Sequence, residues 1–333
     1  MDFSSLSADA AHRFRAVAQL LHRHGQTISA TRPRLLDVGG YPGTFAREFT
    51  TAYPRWQAIT LDQPKENLPQ YISASGAKIP FPDGSFDAVV SIDTFEHVPP
   101  QERDLFLAEL CRVSSGITIL CAPFHHDSVA AVEKLLDACH QKIFNVPHPW
   151  LHEHVQNGLP QLMKTIGAWP ANFGLLEVKQ SYDLQAWATW QALSLFRKLK
   201  GEVDKVWQAF DAASAATMTP AISSVPYRWI LVGRSGEHTI DLPATLMPAP
   251  SAGQEVIELT RLFCRMLELT ASETTERAEA ASTLAVEERL KQAIAATEAQ
   301  LAATKTRPRS PSSDSVRRNA PSITDSLSRF FKR

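Results

Sequence analysis

The stretch that most constrains this chain runs from Leu35 to Phe45, Leu-Leu-Asp-Val-Gly-Gly-Tyr-Pro-Gly-Thr-Phe. Leu35, Leu36 and Val38 flank Asp37 and read as a short strand of a buried parallel sheet. Glycines at the carboxyl end of a first strand let the backbone pass close to a ligand. The helix that follows turns its free N–H groups into the same crevice, so a nucleotide-like ligand is expected there.

The neighbouring segments extend this strand into a unit. Phe14, Val17, Ala18 and Leu21 recur at helical spacing and predict a first amphipathic helix that ends near Gly25 and covers a sheet edge. Residues 44–53 predict a helix seated on the glycine turn, and residues 56–61 a second strand ending at Asp62. Strands are expected at 86–92, 117–122, 173–182 and 227–233, with helices at 101–113, 128–143 and 184–216, the last broken near Gly201. This alternation predicts an α/β, doubly wound, mostly parallel Rossmann-like sheet, with a helical cap insertion from Phe124 to Leu162 over its carboxyl edge. Trp187, Trp190, Phe196, Trp207 and Phe210 form an aromatic stripe that reads as packing rather than sugar stacking.

The domain organisation follows from composition shifts. Residues 1–235 form the α/β domain, 236–253 a Pro-rich linker, 254–303 a long helical or coiled-coil extension that would serve a homo-oligomer, and 304–333 a basic tail. From Lys305 onward eight basic residues stand against Asp314 and Asp325, and Ile323, Leu327, Phe330 and Phe331 share one helical face. This tail reads as a solvated basic segment or as a weak membrane-surface contact. A formal net charge of −1 gives no attraction to nucleic acid, and four scattered cysteines without a C-x-x-C pair fit a reducing, cytoplasmic setting.

Two carboxylates then narrow the ligand. Asp37 lies just before Gly39, Gly40 and Gly43, whose spacing is not the G-x-G-x-x-G of a dinucleotide site, which argues against an NAD-dependent oxidoreductase. Its charge would oppose a pyrophosphate and favour a cation, and Asp62 is placed for ribose hydroxyls. S-adenosylmethionine, with its ammonium and sulfonium, satisfies both.

Residues 36–45, Ile79-Pro-Phe-Pro-Asp-Gly-Ser-Phe-Asp-Ala-Val-Val-Ser91 and Asp93-Thr-Phe-Glu-His-Val98 together resemble the class I S-adenosylmethionine-dependent methyltransferases. The resemblance implies that Asp37, Gly39, Gly40 and Gly43 surround the methionyl end, Asp62 the ribose, Ser75 and Gly76 the adenine side, and Ile92, Asp93 and Thr94 the methyl-donor side. Tyr41 stands where many members have a glycine, as a lid or as packing, and Ser75 where many have an acid. These departures leave open an oligomeric scaffold with a catalytically silent fold.

Methyl transfer from a sulfonium mainly requires alignment and exclusion of water, with a base only for a weakly acidic acceptor. His154, His97 and His125 are the candidates for that base, although His97 also reads as a structural partner near the helix after the fourth strand. A zinc site from His148, His152 and His154 is disfavoured, because Pro149 interrupts the helix and His152 and His154 diverge on it. Asp83, Asp87 and Glu96 read as turn, capping or solvated residues. The expected reaction is O-methylation of a small-molecule or cell-envelope glycan acceptor.

Overall fold

The computed structural model describes residues 6–63, 71–200, 225–242 and 246–305. Trp207, Phe210, the break near Gly201, Pro243 and the basic tail beyond Lys305 lie outside the described residues. The chain divides into two units, Met1–Glu273 and Thr274–Arg333.

In the first unit the strands are β1 (Arg34–Val38), β2 (Gln57–Asp62), β3 (Tyr71–Ser73), β4 (Phe86–Ile92), β5 (Ser114–Pro123), β6 (Phe173–Asp183) and β7 (Pro226–Ser235). They form one sheet in the order β3-β2-β1-β4-β5-β7-β6, with β7 antiparallel to both its neighbours and the other pairings parallel. Strand order reverses between β1 and β4, and that reversal opens a crevice at the carboxyl ends of the strands. The expected mostly parallel sheet is present; the additional β3 is too short to leave an apolar run in the sequence.

Because successive strand residues face opposite sides, β1 feeds two cores. Leu36 and Val38 pack with Val89, Phe106, Leu120 and Leu231 on one face. Leu35 packs with Ala88, Ile119, Ile230, Phe45 and Phe49 on the other. The helix α1 (Ala8–Gly25), capped by Ser7, inserts Val17 and Leu21 into this second layer and lies against β4, β5 and β6. It therefore covers a sheet face rather than the expected edge, since its apolar stripe meets the central strands.

The remaining helices are α2 (Thr44–Ala52), α3 (Arg103–Val113), α4 (Asp127–Phe144), α5 (Leu151–Asn157), α6 (Leu162–Gly167), α7 (Leu184–Lys200) and α8 (Gln254–Lys305). A third core joins α4, α7 and the start of α8 through Val132, Leu136, Trp187, Val256 and Leu267, with Trp187 stacked on Tyr227 at 3.7 Å between centroids. Residues 246–273 accordingly pack with the α/β unit. In the second unit, Thr274–Lys305 is helical. No helix among the described residues is long and apolar enough to cross a membrane.

Candidate active site

The glycine turn is shaped by what lies against it. Gly39 has φ +77°, and a Cβ there would collide with the Thr94 side chain; a Cβ at Gly40 would collide with the Asp37 carboxylate. Gly43, at φ +81°, starts α2, and its N–H donates to the Gly40 carbonyl at 2.6 Å.

Asp37 is buried, and neither of its carboxylate oxygens has a hydrogen-bond partner. Burial first, and the Asp62 charge second, push its carboxyl from the ordinary 3.8 up to about 7. A cation placed against such an acid would stabilise its charged form. Asp62 closes β2 and accepts N–H bonds from Tyr41 at 3.1 Å and Gln63 at 2.7 Å.

Gly39 and Asp62 line a cleft of about 390 Å³ together with Ser75 and Gly76 on one side and Thr94 and His97 on the other; Asp37, Gly40 and Gly43 lie behind this lining. Ser75 Oγ accepts the Ala77 N–H at 3.2 Å, and the Phe106 ring occupies the space a side chain at Gly76 would need. Tyr41 does not line the cleft: its side chain is half-exposed and stands edge-on to Tyr71 at 5.7 Å.

The histidines divide. His154 Nδ1 donates to Glu133 Oε1 at 3.0 Å, and Tyr227 donates its hydroxyl to the same oxygen at 2.8 Å. His97 Nδ1 donates to Glu153 Oε2 at 2.8 Å, and the two Nε2 atoms face each other at 3.3 Å. With each Nδ1 turned to a carboxylate, two nitrogen lone pairs meet unless a positive charge lies between them. Burial opposes charging of both rings; for His154 the Glu133 hydrogen bond and charge outweigh it and raise the pKa. For His97, burial and then the neighbouring His154 lower it.

His125 stands apart from this pair. Its backbone N–H donates to Pro160 and its ring lies 3.4 Å from the Asp127 carboxylate. His148 and His152 also turn elsewhere, His148 Nδ1 accepting from Leu151 N–H and His152 Nδ1 donating to Asp137 at 2.9 Å, so they do not converge with His154.

Glu96 differs from its sequence reading, and Asp93 has charged partners of its own. Glu96 is buried rather than solvated, 1% exposed, and burial followed by the Asp93 charge pushes its carboxyl up to about 8. Asp93 does not line the cleft; it is held bidentately by Arg228 and contacted by Arg13 at 3.0 Å, while Arg228 also grips Asp9 at 2.7 Å. Burial would raise the Asp93 pKa, but Arg228 and then Arg13 lower it. Ile92, buried at the end of β4, carries the chain to this corner.

The sequence reading missed Glu133, Tyr227 and Arg228. Two of them left a signal: Glu133 interrupts the apolar face of Val129, Val132 and Leu136, and Arg228 is a lone charge within the run Tyr227-Arg-Trp-Ile-Leu-Val232.

A methyltransferase-domain family profile matches residues 36–120. Residues 36–120 thus form a methyltransferase domain. An uncharacterized methyltransferase of Mycolicibacterium paratuberculosis is 36% identical over 130 residues, covering 35% of this chain and 48% of that protein. The ubiquinone/menaquinone biosynthesis C-methyltransferase UbiE of Methylobacterium nodulans is 33% identical over 152 residues, covering 38% of this chain and 59% of that protein. The chain thus spans about half the length of these relatives. The YcgJ protein from Bacillus subtilis is a distant structural neighbour, 15% identical over 68% of this chain and 99% of its own, with a TM-score of 0.40.

Proposed function

We propose that the protein transfers a methyl group from S-adenosylmethionine to an oxygen of a small-molecule or glycan acceptor held on the His97 side of the cleft. The observation that carries this reading is Asp37: a buried carboxylate with both oxygens unpartnered, beside a glycine turn whose side-chain space is already taken. Asp37 favours a cationic ligand, and Asp62, at the end of the adjacent strand, suits ribose hydroxyls. S-adenosylmethionine supplies a methyl group already activated on a sulfonium.

What the chain must add is placement and dryness. Thr94, whose hydroxyl donates to the carbonyls of Gly39 and Ile92 at 3.3 Å, fixes the wall between the cofactor side and His97. His97 and His154, oriented by Glu153 and Glu133, are assigned the activation of the acceptor hydroxyl. Trp150, exposed and edge-on to His97 at 5.7 Å, offers a flat apolar surface to an acceptor beside them.

Calorimetry with S-adenosylhomocysteine tests the cofactor half. The wild type should bind, and Asp37→Asn should bind about 10- to 100-fold more weakly, as expected for losing one charged hydrogen-bond partner worth ~1.5–3 kcal/mol. Absence of binding by the wild type, or equal binding by Asp37→Asn and Asp62→Asn, would refute the reading.

A further inference from the structure

The two imidazoles between the cleft and α5 belong to a larger cluster. Ligand atoms of Glu96, His97 and His154 all lie within 4.8 Å of one another. The His97 and His154 Nε2 atoms are 3.3 Å apart, the edge length of a tetrahedron with nitrogen about 2.0–2.1 Å from its centre. Glu96 Oε2 is buried without a hydrogen-bond partner, on a residue 1% exposed.

Each histidine also has the orienting partner that metal-bound imidazoles carry. Glu133 accepts from His154 Nδ1, and Glu153 accepts from His97 Nδ1, which turns both Nε2 atoms inward toward each other. Tyr227 in turn holds Glu133 at 2.8 Å. Facing Nε2 atoms need a proton or a cation between them, and a stranded buried carboxylate oxygen is unfavourable. One divalent cation relieves both at once.

We propose that Glu96, His97 and His154 bind a divalent transition-metal ion of the zinc type on the acceptor side of the methyltransferase cleft. Two imidazoles and one carboxylate are a donor set for such an ion, and three protein ligands leave a coordination position for an acceptor hydroxyl. A cation there lowers the pKa of that hydroxyl, whose proton leaves to solvent. This deepens the proposed methyl-transfer reading by giving the histidine pair its means of activation, and it rests on that reading only for the acceptor's role.

The test uses the full chain stripped with EDTA and titrated with Zn²⁺ by calorimetry and with Co²⁺ by visible absorption, alongside S-adenosylhomocysteine binding. Wild type should take up one equivalent and develop the d–d bands of a four- or five-coordinate Co²⁺ site. Glu96→Gln and His97→Asn should each weaken Zn²⁺ by about 100-fold or more, and Glu153→Gln, which removes an orienting partner only, by about 10- to 100-fold. His154 is left intact in these variants, because its loss would strand Glu133 in the interior. Failure of the wild type to bind one equivalent, or affinity unchanged in Glu96→Gln and His97→Asn, overturns the metal site. If that occurs with S-adenosylhomocysteine still bound, the methyltransferase reading stands alone. Metal uptake abolished by the variants in a chain that does not bind S-adenosylhomocysteine supports the site and refutes the methyltransferase reading.

Discussion

The cleft has two walls built on opposite electrostatic plans. Behind the β1 and β2 side, Asp37 is buried with its carboxylate oxygens unpartnered and Asp62 adds a second negative charge nearby, so this side favours a cation. On the β4 and β7 side, the charges of the deepest layer are matched: Arg228 and Arg13 meet Asp9 and Asp93 in one closed network. The contrast separates binding from support. An unpaired buried acid costs stability and is retained where a ligand offsets it, whereas a paired network holds the backbone of the opposite wall in place.

The largest expected effect comes from breaking the paired side. Arg228→Met strands two buried carboxylates with only Arg13 between them and should cost about 3–5 kcal/mol in urea unfolding. A cost below ~1 kcal/mol, the range of an exposed pair, would show that this wall is not closed as described.

Neutralising acids should then give opposite signs on the two walls. Asp93→Asn removes a partner from Arg228 and should lower stability by roughly 1–3 kcal/mol. Asp37→Asn removes an unpaired charge and should raise the unliganded protein's melting temperature at pH 8 while weakening S-adenosylhomocysteine. If both substitutions shift stability in the same direction, the distinction collapses.

Changing pH should separate the walls further. The Asp37 carboxyl titrates at about 7 in the folded chain against 3.8 ordinarily, so its contribution to stability is present below about pH 4 and is lost as pH rises through 7. A cationic ligand prefers the ionised acid, so affinity for S-adenosylhomocysteine should climb through the same interval. Titrations of wild type and Asp37→Asn at pH 5.5 to 8.5 should show that slope only in the former.

The smallest effect is expected at Tyr41. Its side chain lies outside the cleft, and its contact with Asp62 is made by the backbone N–H, which a substitution retains. Tyr41→Ala should change S-adenosylhomocysteine affinity by less than about threefold, within the ~0.5 kcal/mol typical of surface substitutions. A large loss would mean that the ring closes over the ligand.

The walls also differ in how much the sequence discloses. Asp37, Gly39, Gly40 and Gly43 are near neighbours in the chain, and Asp62 ends the next strand, so local pattern alone assembles that side. His97 and His154 are separated by 57 positions, and Glu133, Tyr227 and Arg228 arrive from other elements; only the sheet order brings them together. Asp93 illustrates the limit of a motif. Its position after β4 resembles a donor-side residue, yet a left-handed backbone at φ 49° and the reach of Arg228 from β7 bind it into the supporting network. The doubly wound sheet is legible because apolar runs alternate with helices, whereas three-residue β3 has no periodicity to read.

The start of α8 determines how far the chain must extend to keep the His154 side of the cleft intact. Gly253 lies against Ser128, whose hydroxyl bonds the Ala252 carbonyl; His126 reaches the Ala249 carbonyl at 3.1 Å and Lys142 pairs with Glu268 at 2.6 Å. All of these clamps fasten α4, the helix that carries Glu133 and through it orients His154. A fragment ending with β7 would retain the whole sheet and the glycine turn, and would uncover Leu136 and Cys139 on the outside of that helix. A fragment that keeps α4 packed therefore runs past β7 into α8, and the compact unit itself ends at Glu273.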